Sequence, residues 1–125
     1  MSKLEPSEHQ HQVAVIDWWA SYAPTKGLDV RLLWAMPNAA KRSYALANHM
    51  KSEGLRAGVP DLFLALPIPL FHGLFVEMKS TKGKPTAEQA HYLALLRGQE
   101  YNCVVCHGAD EAMTAIKAYV EHSQR

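Results

Sequence analysis

The sequence predicts a single mixed α/β domain. Three observations carry that prediction. Helix-period and strand-period apolar segments alternate along 125 residues, a length that supports one sizeable core. Capping signals punctuate the chain at Ser7, Thr86 and Asp110. No repeat, low-complexity stretch or linker interrupts it, so residues 1–125 read as one domain, with residues 1–6 as a frayed terminus. Hydrophobic residues make up 48% and charged residues 20%, the balance of an ordinary globular chain rather than a disordered or membrane one. No apolar run approaches the roughly 18 residues that span a bilayer, and the first residues lack a secretory h-region. The expectation is a cytoplasmic protein without membrane partners. A formal charge of +1 favours no class of partner, because a neutral total is compatible with a locally basic face.

The elements follow in order. Ser7 and Gln10 form a capping-box pattern that opens a helix over residues 8–21, ended by Pro24-Thr-Lys-Gly27. Val13, Ile16, Trp19 and Ala20 supply its expected apolar stripe. Glu8 in its first turn is favoured by the helix dipole on local grounds alone. Residues 28–36 read as a strand closed by Pro37-Asn38, and residues 39–53 as a helix with Leu46 and Met50 spaced i, i+4 and Gly54 as its stop. Lys41, Arg42, Lys51 and Arg56 make this segment basic, which suits either a solvated helix face or a phosphate-contacting surface.

Residues 62–66 and 74–78 are two apolar strands. Residues 67–73 connect them as a hairpin, since Pro67 and Pro69 cannot donate inside a sheet. Ile68, Leu70 and Phe71 make that connector unusually apolar, so it either packs locally or forms a subunit contact. Ser80 to Pro85 is a loop carrying Lys82 and Lys84. Thr86 and Gln89 then repeat the capping-box pattern before a helix that buries Leu93 and Leu96 and stops at Gly98. A strand over 101–107 and a helix from Asp110, burying Met113, Ile116 and Val120, complete the chain.

Cys103 and Cys106 form C-x2-C, but residues three apart on a strand point to opposite faces. They read as structural thiols rather than zinc ligands, and no second cysteine pair completes a site. The seven histidines are scattered, without a metal-binding pattern.

Charge inside apolar strands is the informative anomaly, because an unpaired buried charge is costly. Glu77 and Lys79 share one strand face with Phe75, while Leu74, Val76 and Met78 face the core. If the two strands pair as a hairpin, Asp61 comes close to Glu77 across a sequence gap of sixteen (77 minus 61). Two carboxylates suit Mg2+ or Mn2+. Such an ion acidifies water and stabilises charge on a phosphodiester oxygen, and an adjacent ammonium assists. The plain alternative is a structural Lys–Glu pair on a half-exposed sheet.

Pro60-Asp61, fifteen residues, then Glu77-Met-Lys79 matches the PD-(D/E)XK nuclease signature. With Gly58-Val-Pro-Asp-Leu62, Glu77-Met-Lys-Ser80 and Gly83-Lys-Pro-Thr-Ala-Glu-Gln89, the chain resembles the VRR-NUC branch of that superfamily from Glu8 to about Val120. The bare signature is weakly specific; the combined words in this order are much more so. Here Pro85 precedes Thr86, whereas the family often carries a Thr-Pro-Glu-Gln-like turn.

The resemblance implies a restriction-endonuclease-like fold, a mixed β-sheet flanked by helices. It implies a divalent-metal-dependent DNA endonuclease using Mg2+ or Mn2+. Asp61, Glu77 and the Met78 backbone carbonyl are then metal ligands, with Glu8 a supporting one. Lys79 is the catalytic lysine, Gln89 positions water, lysine or DNA, and Tyr92 is a weaker candidate on the same helix face. Lys41, Arg42, Lys82 and Lys84 are expected to hold DNA phosphates. Stand-alone relatives tend to be small, bacterial or viral, and homodimeric, so the expected setting is a bacterial cell or a virus-infected host cell. Two sites across a two-fold axis suit branched DNA such as a four-way (Holliday) junction. The alternatives are a non-catalytic DNA-binding or assembly module on the same fold, and a nuclease acting on flaps, ends or RNA.

Overall fold

A computed structural model describes residues 5–37 and 43–124. Four strands form one sheet in the order β1 (Leu33–Ala35), β2 (Leu62–Leu64), β3 (Leu74–Lys79), β4 (Asn102–His107). The first three pair antiparallel and β3–β4 pairs parallel, so the sheet is mixed, as expected. Helices α1 (Glu8–Thr25) and α4 (Ala109–Ser123) pack together on one face, and α3 (Ala87–Gly98) lies against β4 on the other. Helix α2 (Tyr44–Ser52) follows β1. No helix among the described residues is long and apolar enough to cross a membrane.

The core sits between the sheet and the α1–α4 pair. Leu74, Val76 and Met78 enter it from β3, Leu62 and Leu64 from β2, and Ile116, Tyr119 and Val120 from α4. Strand alternation on β3 therefore runs as read, with Phe75, Glu77 and Lys79 on the opposite face.

Several boundaries differ from the sequence reading. Helix α1 runs through Pro24 to Thr25 and ends in a Schellman arrangement. Gly27 (φ +71°) donates to the Pro24 carbonyl and Leu28 donates to that of Ala23, so the glycine rather than the proline stops the helix. Its core stripe is Val15, Trp19 and Ala23, while Val13 and Ala20 are exposed. The stripe is fixed by Trp19, which packs in the core and donates Nε1–H to the Val30 carbonyl at 2.9 Å.

The strand expected over 28–36 shrinks to β1, preceded by a 3-10 turn at Val30–Leu32. Asp29 causes this: its carboxylate accepts from the Arg31 amide and pairs with the Arg31 guanidinium at 2.7 Å, capping the turn. The helix expected from residue 39 begins at Tyr44, with Ser43 accepting from the Leu46 amide; residues 38–42 lie outside the described residues. Strand β2 ends at Leu64 instead of Leu66, because the Leu66 carbonyl turns to accept from the Tyr119 hydroxyl at 2.6 Å. The 67–73 connector packs locally: Ile68 and Phe71 bridge each other and rest on the core, leaving Leu70 exposed.

Asp110 does not cap α4. Gly108 occupies that position, and the Ala109 amide donates to His11 Nδ1 of α1 at 3.0 Å. A side chain 98 residues away thus supplies the cap. Cys103 and Cys106 are both free and buried on opposite faces, and burial raises both thiols, Cys106 to about 11.

Candidate active site

The β2–β3 register places Leu62 opposite Val76, which brings Asp61 alongside Glu77 as the hairpin reading requires. Asp61 does more than arrive there. Its Oδ2 accepts from the Met78 amide at 2.7 Å, so the carboxylate is tied to the strand that carries Glu77 and Lys79. On its other side, the Asp61 carbonyl accepts from the Met36 amide at 2.8 Å and extends the β1–β2 pairing by one residue pair. Asp61 is thereby held from both neighbours.

The segment that delivers Asp61 depends on Gly58. Its φ of +84° is strained for any side chain, and a Cβ there would stand 3.1 Å from both the Glu88 carbonyl oxygen and its Cγ. The chain can approach the N-terminal turn of α3 this closely only as glycine. Pro60, fully buried, then fixes the direction of entry into β2.

Glu77 is 2% exposed and Lys79 9%, and Lys79 Nζ stands 3.2 Å from Glu77 Oε2. Burial pushes the Glu77 carboxyl up to about 7, the negative charge of Asp61 pushes the same way, and Lys79 opposes both. This strand face is therefore short of positive charge: one ammonium faces two carboxylates. The plain reading of an exposed, weak Lys–Glu pair does not describe a pair buried to this degree beside a third charge.

That imbalance is the test of whether a divalent cation fits. Hard oxygen donors, Asp61 and Glu77 with a backbone carbonyl beside them, are the set Mg2+ or Mn2+ prefers, with water completing the coordination. A cation there would offset the cost of ionising Glu77. Among the described residues, no group of three or more Asp, Glu, His or Cys is gathered for a metal. Glu8 therefore does not complete a three-carboxylate cluster; it is exposed in the first turn of α1.

The remaining expected residues distribute as follows. Gln89 forms the capping box, its Oε1 accepting from the Thr86 amide at 2.9 Å, and it also lines the cleft that contains Asp61. Lys82 and Lys84 are exposed on the loop that folds over Lys79, where Gly83 sits close to the Lys79 stem. Lys41 and Arg42 lie outside the described residues.

The structure adds two cations and a brace. Lys51 and Arg56 line the Asp61 cleft with Gly58 and Gln89. Both were visible as basic residues before Gly58, but only the fold shows that they face the site. His107, opposite Lys79 in the β3–β4 register, holds a ring nitrogen 2.9 Å from the Gly83 carbonyl, anchoring the loop of Lys82 and Lys84. Its strand position was legible, whereas its partner was not.

Comparison with known proteins bears on the family and the fold. A sequence profile of the VRR-NUC domain matches residues 6–110. A solved structure named "VRR_NUC domain protein" is similar over 98% of this chain and 93% of its own, at 25% identity and a TM-score of 0.80. No curated protein matches.

Proposed function

The chain belongs to the VRR-NUC domain family, a nuclease-type domain, and from that premise we propose that it is a divalent-metal-dependent DNA endonuclease centred on Asp61, Glu77 and Lys79. The observation that supports this most is the convergence of the three: buried Lys79 Nζ 3.2 Å from buried Glu77, and half-buried Asp61 tied to the Met78 amide between them. Evenly packed structural ion pairs have no need of a second carboxylate.

Asp61, Glu77 and the Met78 carbonyl would hold Mg2+ or Mn2+. When bound, that ion acidifies water and stabilises negative charge on phosphodiester oxygens. The chain's own groups do the rest. Lys79 orients the attacking water and offsets charge that develops on the phosphate in the transition state. Lys82 and Lys84 on the braced loop, with Lys51 and Arg56 in the Asp61 cleft, hold flanking phosphates. Lys41 and Arg42 are proposed for the same work. Glu8 is proposed as a supporting ligand that acts from outside the carboxylate pair, through water. Gln89 is proposed to position water or DNA while keeping its capping role.

The proposed substrate is branched DNA cut by a homodimer. Two copies related by a two-fold axis would present two sites to the strands of a four-way junction. The test is cleavage of labelled duplex, flap and four-way-junction DNA by the purified protein in Mg2+ or Mn2+, with mass measured in solution by light scattering. Paired cuts on the junction by a dimer are expected. Binding without cleavage in either metal would favour a scaffold role, and a monomer would remove the basis for paired cuts.

A further inference from the structure

An apolar cavity of about 480 Å³ opens beside the catalytic cleft, lined by Met36, Met50, Phe75, Tyr92 and Leu96. It is not a separate feature. It shares Pro37, Arg56 and Val59 with the polar cleft that contains Asp61. Met36, on its wall, is hydrogen-bonded through its amide to the carbonyl of Asp61. Phe75 lies on the same strand face as Glu77, two residues away, and its ring is fixed against Phe63 at 4.4 Å and Tyr101 at 5.4 Å between centroids.

The chemistry of this junction selects an occupant. The shared cleft carries the cations Lys51 and Arg56 beside the carboxylates of Asp61 and Glu88, and immediately beyond them the lining turns aromatic and thioether-rich. A ligand that suits both parts carries phosphates and, one bond chain away, a flat apolar ring. An uncharged acyl chain or an apolar peptide would leave Lys51 and Arg56 unmatched. Glu53, at the rim, is directed toward His49 at 3.3 Å. The volume is within the range of small-ligand pockets, and rings of this kind take up bases by stacking without regard to sequence.

We propose that this cavity is a nucleobase subsite, receiving one unstacked base of the DNA strand whose neighbouring phosphate lies in the Asp61 cleft. It rests on the nuclease reading for its orientation, and it gives that reading a physical reason to favour DNA with unpaired or easily opened bases. Extruding a base from an intact duplex costs several kcal/mol, which a branch point or single strand largely avoids. Tyr92 is the stacking platform, and Arg56 holds the phosphate between base and scissile bond.

The test uses the full chain with methyl-labelled methionine, titrated in EDTA with the thymidine tetranucleotide and, in parallel, with an abasic tetranucleotide of the same charge. Ring-current shifts at Met36 and Met50, absent at Met113, are expected with the first and not the second. Tyr92→Ala is expected to weaken tetranucleotide binding about tenfold, while Tyr92→Phe keeps it. Equal shifts with both oligomers, or none at saturation, would overturn the subsite, as would a Tyr92→Ala protein that is folded and binds unchanged. Because no cleavage is involved, the subsite can stand or fall independently of the nuclease reading.

Discussion

Asp61 and Met78 are joined by a 2.7 Å hydrogen bond from the Met78 amide to the Asp61 carboxylate, 17 residues apart in sequence. The bond gives Asp61 two tasks, holding the β2–β3 hairpin in register at its charged end and presenting a carboxylate beside Glu77. The two tasks separate by substitution. Asp61→Asn keeps an acceptor for the Met78 amide and is expected to fold with near-normal stability while losing metal-dependent cleavage. Asp61→Ala loses both, with a stability cost of about 1–3 kcal/mol for the orphaned buried amide. Chemical denaturation beside cleavage rates distinguishes them; equal stability of the two variants would mean the tether is incidental.

Gly58 is the second constraint on Asp61. A methyl group there meets the Glu88 backbone while the backbone stays at φ +84°. Gly58→Ala is expected to lower stability by about 1–3 kcal/mol and to reduce cleavage further than stability alone explains, because the loop that delivers Asp61 must shift. Melting temperature and single-turnover rate, taken together, check this.

Glu8 stands outside the carboxylate pair, so its proposed contribution is small and specific. In Glu8→Gln the Mg2+ concentration for half-maximal cleavage is expected to rise several-fold, with the rate at saturating metal little changed. A fall in the saturated rate with an unchanged metal requirement would assign Glu8 to some other role.

The Tyr119 hydroxyl predicts a pH effect. Burial raises it from its ordinary value of 10.0 to about 12 in the folded protein, so the fold favours its protonated form. Its stability contribution is therefore complete below pH 10 and is lost as pH rises from 10 to 12, where the unfolded chain releases the proton first. Tyr119→Phe is expected to cost about 1–3 kcal/mol at neutral pH, since it strands the Leu66 carbonyl. It should also flatten the alkaline decline across that window. The Cys106 thiol, raised by burial from 9.0 to about 11, loses its own contribution between pH 9 and 11, so part of the decline remains in that variant. Equilibrium unfolding at a series of pH values reads both effects.

The site was legible in the sequence because strand alternation is a strict period. It put Phe75, Glu77 and Lys79 on one face, and hairpin pairing brought Asp61 alongside. The capping boxes at Ser7 and Thr86 were equally legible, since each is written in residues three apart. What stayed hidden depended on partners distant in the chain. Of the expected α1 stripe, Trp19 is in the core and Ile16 packs against it, but Val15 and Ala23, on the face that Trp19 turns inward through the Val30 carbonyl, replace Val13 and Ala20. The start of α4 was hidden because its cap is His11. Strand β1 was overextended because Asp29 diverts the backbone to its own side chain, a local competition that apolar patterning does not register. The cavity beside the site gathers residues from four separate segments, 36–37, 50–59, 75 and 92–96, and no spacing rule reveals it.

Asp61, Glu77 and Lys79 are proposed to act as one metal-dependent centre. Single-turnover cleavage of labelled four-way-junction DNA in Mg2+, by the unaltered protein, Asp61→Asn and Lys79→Ala, tests it most directly. The expected result is cleavage by the unaltered protein that EDTA abolishes and that falls by at least about 100-fold in each variant, with both variants still folded. Cleavage that survives either substitution at its full rate would contradict it.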